Sequence, residues 1–326
     1  MELIRPTSPR EEKALLQIML ATVTADGTRQ MGALERASVE AMARHVLDFE
    51  ADVDACASQI PDDLEAALAN PALRQWAVRM LVPLTLVEGR IDPAAVAVVE
   101  QIAARLDAAH EDVALLHYPL RGRHRRFMWR ITRNAVSDFW SKGGPTNLRG
   151  WFGAAEQSVL AGMRTNPKVS ARYRDLKKLP PSSLGAHLHD FYVNNGWAMP
   201  GEKGGMPEHF VVHECTHILS GYDPTNHGEM LTAVFTAGAK KRHAMEWVLV
   251  SLLQWHHGAA VASISKKHAF SGLLKPDAFF NAWRRGMESN ISLMDDVWSW
   301  WDVIEHPVDG LRERYGITPL APALAA

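Results

Sequence analysis

The sequence predicts an all-α protein made of two helical domains. Strand signals are sparse, and apolar residues recur at the helical period through most of the chain. Glycine and proline punctuate those runs. The 326 residues exceed one typical domain. The Gly/Pro-bearing stretch Ser141-Lys142-Gly143-Gly144-Pro145-Thr146-Asn147 marks a boundary. The expected division is a helical domain over 1–120, a basic, Gly/Pro-containing linker over 121–150, and a metal-binding helical domain over 151–326.

In chain order, helices are expected over 15–25, 33–49, 64–68, 72–87 and 93–109. Pro93 suits a helix start, where its missing N–H costs nothing. Further helices are expected over 210–219, 229–239, 244–253, 276–287 and 291–304. The run 247–253 is apolar all round, which marks a buried helix or the wall of a greasy pocket. Trp283, Trp298, Trp300 and Trp301 read as core or interface anchors.

Composition narrows the class. Hydrophobic content of 47% and charged content of 22% are those of a globular protein with ample core material. A net charge of −2 gives no global reason to expect nucleic acid. Cys56 and Cys215 lie far apart in dissimilar contexts, which argues against a disulfide framework and fits a reducing cytosol. Residues 1–12 mix Pro, Arg and Glu without an apolar core, unlike a secretory signal. The nearest approach to a membrane span, residues 244–264, is interrupted by Glu246, Gln254, His256 and His257.

The chemistry concentrates in His213-Glu214-Cys215-Thr216-His217, followed by Glu229. Residues four apart share one helix face, so the imidazoles of His213 and His217 can close on one cation. Gly221 and the polar run after it break the helix, and Glu229 can return a carboxylate to the same ion. Fifteen histidines give roughly 0.7 such pairs by chance; adding the adjacent acid and Glu229 lowers this to about 0.005. Two imidazoles with one or two carboxylates suit Zn, Fe(II), Mn or Co. Cys215 should point away from the histidine face. His256-His257 offers either a hydrogen bond to a ligand or a pair of satisfied core histidines. His187, His189 and His209 are within reach of the centre only if the fold brings them there.

Two other stretches stand out. Residues 121–133 interleave six arginines with Phe127, Met128, Trp129 and Ile131. They suit an anionic membrane surface, an RNA contact, or a connector paired with acids. In the N-terminal part, residues 17–27 and 79–89 form a weak repeat, each a helix ending in acid-Gly. The segments Ala25-Asp26-Gly27 and Val87-Glu88-Gly89-Arg90-Ile91-Asp92-Pro93 resemble the TerB-like helical domain of tellurite-resistance proteins, over about residues 10–118. The resemblance associates acids at these turns with metal, here Asp26, Glu88 and Asp92. Helix caps and turn residues are the other reading, and the favoured one.

From about Trp151 the chain resembles the fourth protein of the coenzyme Q (ubiquinone) biosynthesis series. The likeness rests on Leu179-Pro180-Pro181-Ser182-Ser183-Leu184-Gly185 with His189-Asp190-Phe191 and Asn195-Gly196. It rests further on the metal motif ending in Gly228-Glu229, and on Pro307-Val308-Asp309-Gly310-Leu311-Arg312 with Tyr315-Gly316-Ile317. The resemblance implies a divalent ion, Zn or Fe foremost, held by His213, Glu214, His217 and Glu229. Glu214 and Glu229 are the candidate catalytic residues. It implies loss of the C1 carboxylate and hydroxylation at that carbon on a prenylated 4-hydroxybenzoate-type ring. The implied partners are that prenylated aromatic lipid, other ubiquinone-biosynthesis enzymes, the inner face of a bacterial cell membrane and a second copy of the chain. The family's acid is usually Asp where this chain has Glu214, and Glu there also produces the zinc-peptidase pattern, in which it is a general base. The metzincin positions for Gly and His hold Ser220 and Asp223. The alternatives are therefore a zinc-dependent peptidase and a non-catalytic isoprenoid-binding scaffold.

Overall fold

The computed structural model describes residues 3–140, 165–261, 269–295 and 298–321. The stretch 141–147 lies outside them. Among the described residues the protein is all-α, without strands; the only β-type contacts are isolated bridges joining Ser183 to Pro307 and His257 to Ser271.

The N-terminal half comprises α1 (Pro9–Val23), α2 (Ala33–Met42, continued by a π turn at Ala43–Leu47), α3 (Leu64–Ala67), α4 (Pro71–Leu84) and α5 (Pro93–Leu106). The short α6 (His110–Ala114) and α7 (His117–Leu120) lead into α8 (His124–Trp140). The starts are encoded locally. Ser8, Asn70 and Asp92 accept the free N–H groups of the first turns of α1, α4 and α5, each with proline just inside the helix.

The second half holds α9 (Pro167–Arg174), α10 (Leu184–Asn194), α11 (Val211–Ser220), α12 (Asn226–Ala239), α13 (Ala244–Trp255), α14 (Pro276–Glu288), α15 (Trp300–Val303) and α16 (Val308–Tyr315). The expected apolar helix over 244–253 is α13, and it is buried, as an all-round apolar helix should be. No described helix is long and apolar enough to cross a membrane.

The expected helix over 291–304 is reduced to α15. The reason is tertiary. Asp295 accepts the backbone N–H of Lys241 (2.6 Å) and pairs with the buried Lys240 ammonium (2.6 Å), holding its own segment in a turn. Lys240 keeps the Asp295 carboxyl low although burial alone would raise it.

One apolar core runs through both halves. α14 packs on α2 and its π turn as well as on α12. The Trp76 and Trp283 indoles meet across the halves, ring centres 5.8 Å apart. At the α12–α14 contact Gly238 and Gly286 face each other; a Cβ on either would overlap a backbone carbonyl oxygen of the opposite helix, Trp283 or Phe235. A second bond across the halves comes from His256 and His257, whose Nε2–H groups donate to the carbonyls of Val87 (2.7 Å) and Leu86 (2.6 Å). Both are therefore satisfied interface histidines.

Burial pushes His257 down to about 4. Its neutral form is the folded form, so the unfolded chain takes up the proton first as pH falls below the ordinary imidazole range. Stability is full above about pH 6.5 and drains away until about pH 4, costing about 2 kcal/mol between pH 7 and pH 5. Urea unfolding at the two pH values measures the loss. His257→Gln, which can still donate to Leu86, is expected to flatten that slope; an unchanged slope would place the acid sensitivity elsewhere.

Candidate metal centre

α11 begins after a 3₁₀ turn at Glu208–Phe210 and ends at Gly221, whose φ of +85° only glycine adopts without strain. Its last carbonyls, which have no partner within the helix, are held by two arginines. Arg312 donates to Ile218 (2.9 Å) and Leu219 (3.0 Å), and the buried Arg285 to Ser220 (2.8 Å). Arg285 also donates to the Tyr222 hydroxyl at 2.6 Å. The C-terminal sequence signature thus has a physical task at Arg312: it fixes the end of the helix that bears the histidines.

The turn back is compact. The Thr225 hydroxyl donates to the Asp223 carboxylate (2.6 Å) and accepts the N–H of Gly228 (3.1 Å), capping α12. A side chain at 228 would overlap the Asp223 carbonyl, so glycine there is required by close approach. The next residue, Glu229, lies in the first turn of α12 and faces α11.

Three side chains converge. His213 Nε2 lies 3.1 Å from His217 Nε2 and 3.1 Å from one Glu229 carboxylate oxygen. The other carboxylate oxygen lies 3.4 Å from His217 Nε2. All the ligand atoms fall within 4.8 Å of one another, and this is the only such group among the described residues. Two nitrogens each about 2.0–2.1 Å from a shared cation are themselves roughly 3 Å apart, so the spacing fits one ion. The donor set, two imidazole nitrogens and a carboxylate, fits Zn, Fe(II), Mn or Co.

The tautomer of His217 is fixed by its back side. Nδ1 lies 3.1 Å from the Tyr222 carbonyl, which can only accept, so Nδ1 carries the proton and Nε2 is left with its lone pair. The Thr232 hydroxyl is also 3.1 Å from Nδ1. Electrostatics agree with a cation-seeking site. Burial would lower His213, but the hydrogen bond and charge of Glu229 outweigh it and raise the imidazole. Burial would raise Glu229, but the two imidazoles hold it well below the usual carboxylate range.

Glu214 is not among the converging atoms. It is 4% exposed, beside the cluster, and burial pushes its carboxyl up against the opposing pull of His213 and His217. Cys215 is fully buried and burial pushes its thiol well up, so it packs. His187 Nδ1 contacts the carbonyl of Ser183, His189 contacts Asp190, and the His209 ring stacks on Phe210; none joins the centre.

Some neighbours were not expected. Phe191 lies on His217 with ring centres 5.6 Å apart, and Trp197 meets Phe191 edge-on at 5.6 Å, forming an aromatic path to the surface. Trp197 is 40% exposed, with Val193, Met206 and Phe210 also exposed. The Tyr192 hydroxyl is buried without a hydrogen-bond partner, and burial with the charge of Glu214 raises it. Thr232 was not expected either, although its place three residues past Glu229 on the same helix face is a usable signal.

The acids of the N-terminal turns have other work. Asp26 accepts the Ile60 N–H (2.9 Å), and Asp92 caps α5 through Ala94 (2.9 Å) and accepts Arg29 (3.1 Å). Glu88 presses on Gly32, where an added Cβ would meet its carboxylate. Comparison with protein-family models, with curated proteins and with solved structures finds no match for the chain.

Proposed function

We propose that the chain is a divalent-metal enzyme of ubiquinone-biosynthesis type. It removes the C1 carboxylate of a prenylated 4-hydroxybenzoate-type ring and places a hydroxyl on that carbon. The balanced step releases CO₂ and takes one oxygen atom from O₂. The other leaves as water, with two electrons and two protons from an external reductant. The observation that carries this reading is a His213/His217/Glu229 centre flanked by a buried carboxyl and an exposed aromatic rim.

His213, His217 and Glu229 would hold the ion, leaving positions free on it. When bound, it supplies Lewis acidity toward a carboxylate or phenolic oxygen and, as Fe(II), reactivity with O₂. Glu214, beside the ligands and with its carboxyl raised by burial, passes protons to and from the ring substituents. Phe191, Trp197 and Phe210 shelter the isoprenoid tail, whose affinity grows by about 0.8 kcal/mol per buried CH₂. A peptidase is disfavoured because no described strand offers an edge for an extended peptide. In this reading the chain works at the inner face of the cell membrane beside other ubiquinone enzymes, and the TerB-like helices bind a protein partner.

Elemental analysis of the purified protein beside mass spectrometry of its co-purified lipid tests the reading. Iron or zinc at about one per chain with a prenylated phenol or its acid supports it. Chelator-sensitive peptide hydrolysis, or a protein without affinity for divalent ions, overturns it. Glu214→Gln is expected to keep the metal and lose turnover by about 10²–10⁴-fold. Unchanged pathway flux in that variant would mean a lipid-binding scaffold instead.

A further inference from the structure

α8 divides its residues sharply. Phe127, Ile131 and Asn134 point inward and are buried. Arg125, Arg126, Trp129 and Arg133 occupy the opposite arc, as the helical repeat requires, while Arg130 lies at the edge of the inward side, where it and Asn134 both donate to Glu246. With Arg123 they line an open trough of about 820 Å³. Arg130 is neutralised by Glu246 at 2.6 Å. Among the described residues no carboxylate lies within 4.0 Å of Arg123, Arg125, Arg126 or Arg133. Trp129 is 62% exposed amid these guanidinium groups.

Four guanidinium groups without a carboxylate partner among the described residues surround one trough, an arrangement that an entering anion would relieve. The connector reading, in which these arginines pair with acids of the first half, is not met by Arg130, whose partner Glu246 belongs to the second half. We propose that this face docks on an anionic phospholipid surface, with lipid phosphates between the guanidinium groups and the Trp129 indole at the headgroup level. Arginine stems lie along apolar surface while their heads stay with phosphate, and indoles favour the same depth. A nucleic-acid strand fits less well. Arg133 already stacks on Trp129 at 5.0 Å, taking a ring face that a base would need. The inference deepens the membrane part of the proposed function and rests on that part alone, since none of these residues touches the metal ligands.

The test is flotation of the full chain with phosphatidylcholine vesicles, with and without about one-third phosphatidylglycerol. Binding is expected only to the anionic vesicles and to fade toward roughly 0.3 M salt. The double variant Arg125→Glu/Arg126→Glu is expected to lose at least about 30-fold in affinity, while Arg125→Lys/Arg126→Lys keeps most of it. Brominated lipid should quench wild-type fluorescence more than that of Trp129→Phe. Metal content and helical signal of the charge-reversed variant should match wild type, so loss of vesicle binding and failure of the metal reading are separate results. Equal binding to neutral vesicles, or undiminished flotation of the charge-reversed variant, overturns the proposal. So does tight binding of single-stranded RNA that displaces the vesicles.

Discussion

Glu229→Gln is expected to weaken divalent-metal binding by at least about 100-fold while leaving the helices in place. Loss of a residue that merely supports a ligand costs 10- to 100-fold, and Glu229 is itself one of three converging groups. The amide keeps the shape and removes the charge. That charge raises His213 and contributes to the attraction for a cation. A ligand that binds only the folded state stabilises it by about 2.7 kcal/mol at a hundredfold excess over its Kd. Added Zn or Mn should therefore raise the wild-type melting temperature and leave that of Glu229→Gln unmoved. Because His213 holds its proton tightly beside Glu229, metal affinity in the wild type should fall as pH drops toward and below neutrality. Equal metal affinity in the two proteins would remove Glu229 from the centre.

Gly286→Ala is expected to destabilise the fold by about 3 kcal/mol, at the upper end of ordinary overpacking. The added methyl would overlap the Phe235 carbonyl oxygen, and the atoms around it are backbone, which cannot swing aside. α12 and α14 must then separate, disturbing Trp283 against Trp76. α12 also carries Glu229, so a secondary loss of metal affinity is expected. Gly310 provides the control. It is also helical but has open space around its Cα, so Gly310→Ala should be neutral or stabilising by up to about 1 kcal/mol. Urea unfolding of the two variants decides the matter; equal midpoints would show that the helices slide past each other without cost.

Much of the helical layout was legible because it is local. Caps at Ser8, Asn70 and Asp92, prolines just inside, and apolar periodicity act within a few residues. The histidine pair was legible for the same reason, since four residues make one turn. What escaped depends on distant partners. The π turn after α2 carries no local signal, and the break at 291–304 is imposed by Asp295 reaching back to Lys240 and Lys241. The helices α9, α10 and α16 were not expected either, and length is not the cause for α10, whose 11 residues exceed the 10 of the expected α11. Glu214 reads in sequence as a ligand, yet the converging ligand atoms are those of His213, His217 and Glu229. Arg285 and Arg312 could be seen as residues but not as clasps on the end of α11, because their targets lie 65 to 94 positions away.

The meeting of Trp76 with Trp283 has a consequence for heredity. A shuffled gene that swapped either half for a foreign bundle would strand an indole in water and leave glycine-notched and carbonyl surfaces without their mates. The halves of this polypeptide must therefore be transmitted, and must drift, as a single unit. A change at one indole is expected to be felt at its counterpart some two hundred positions along.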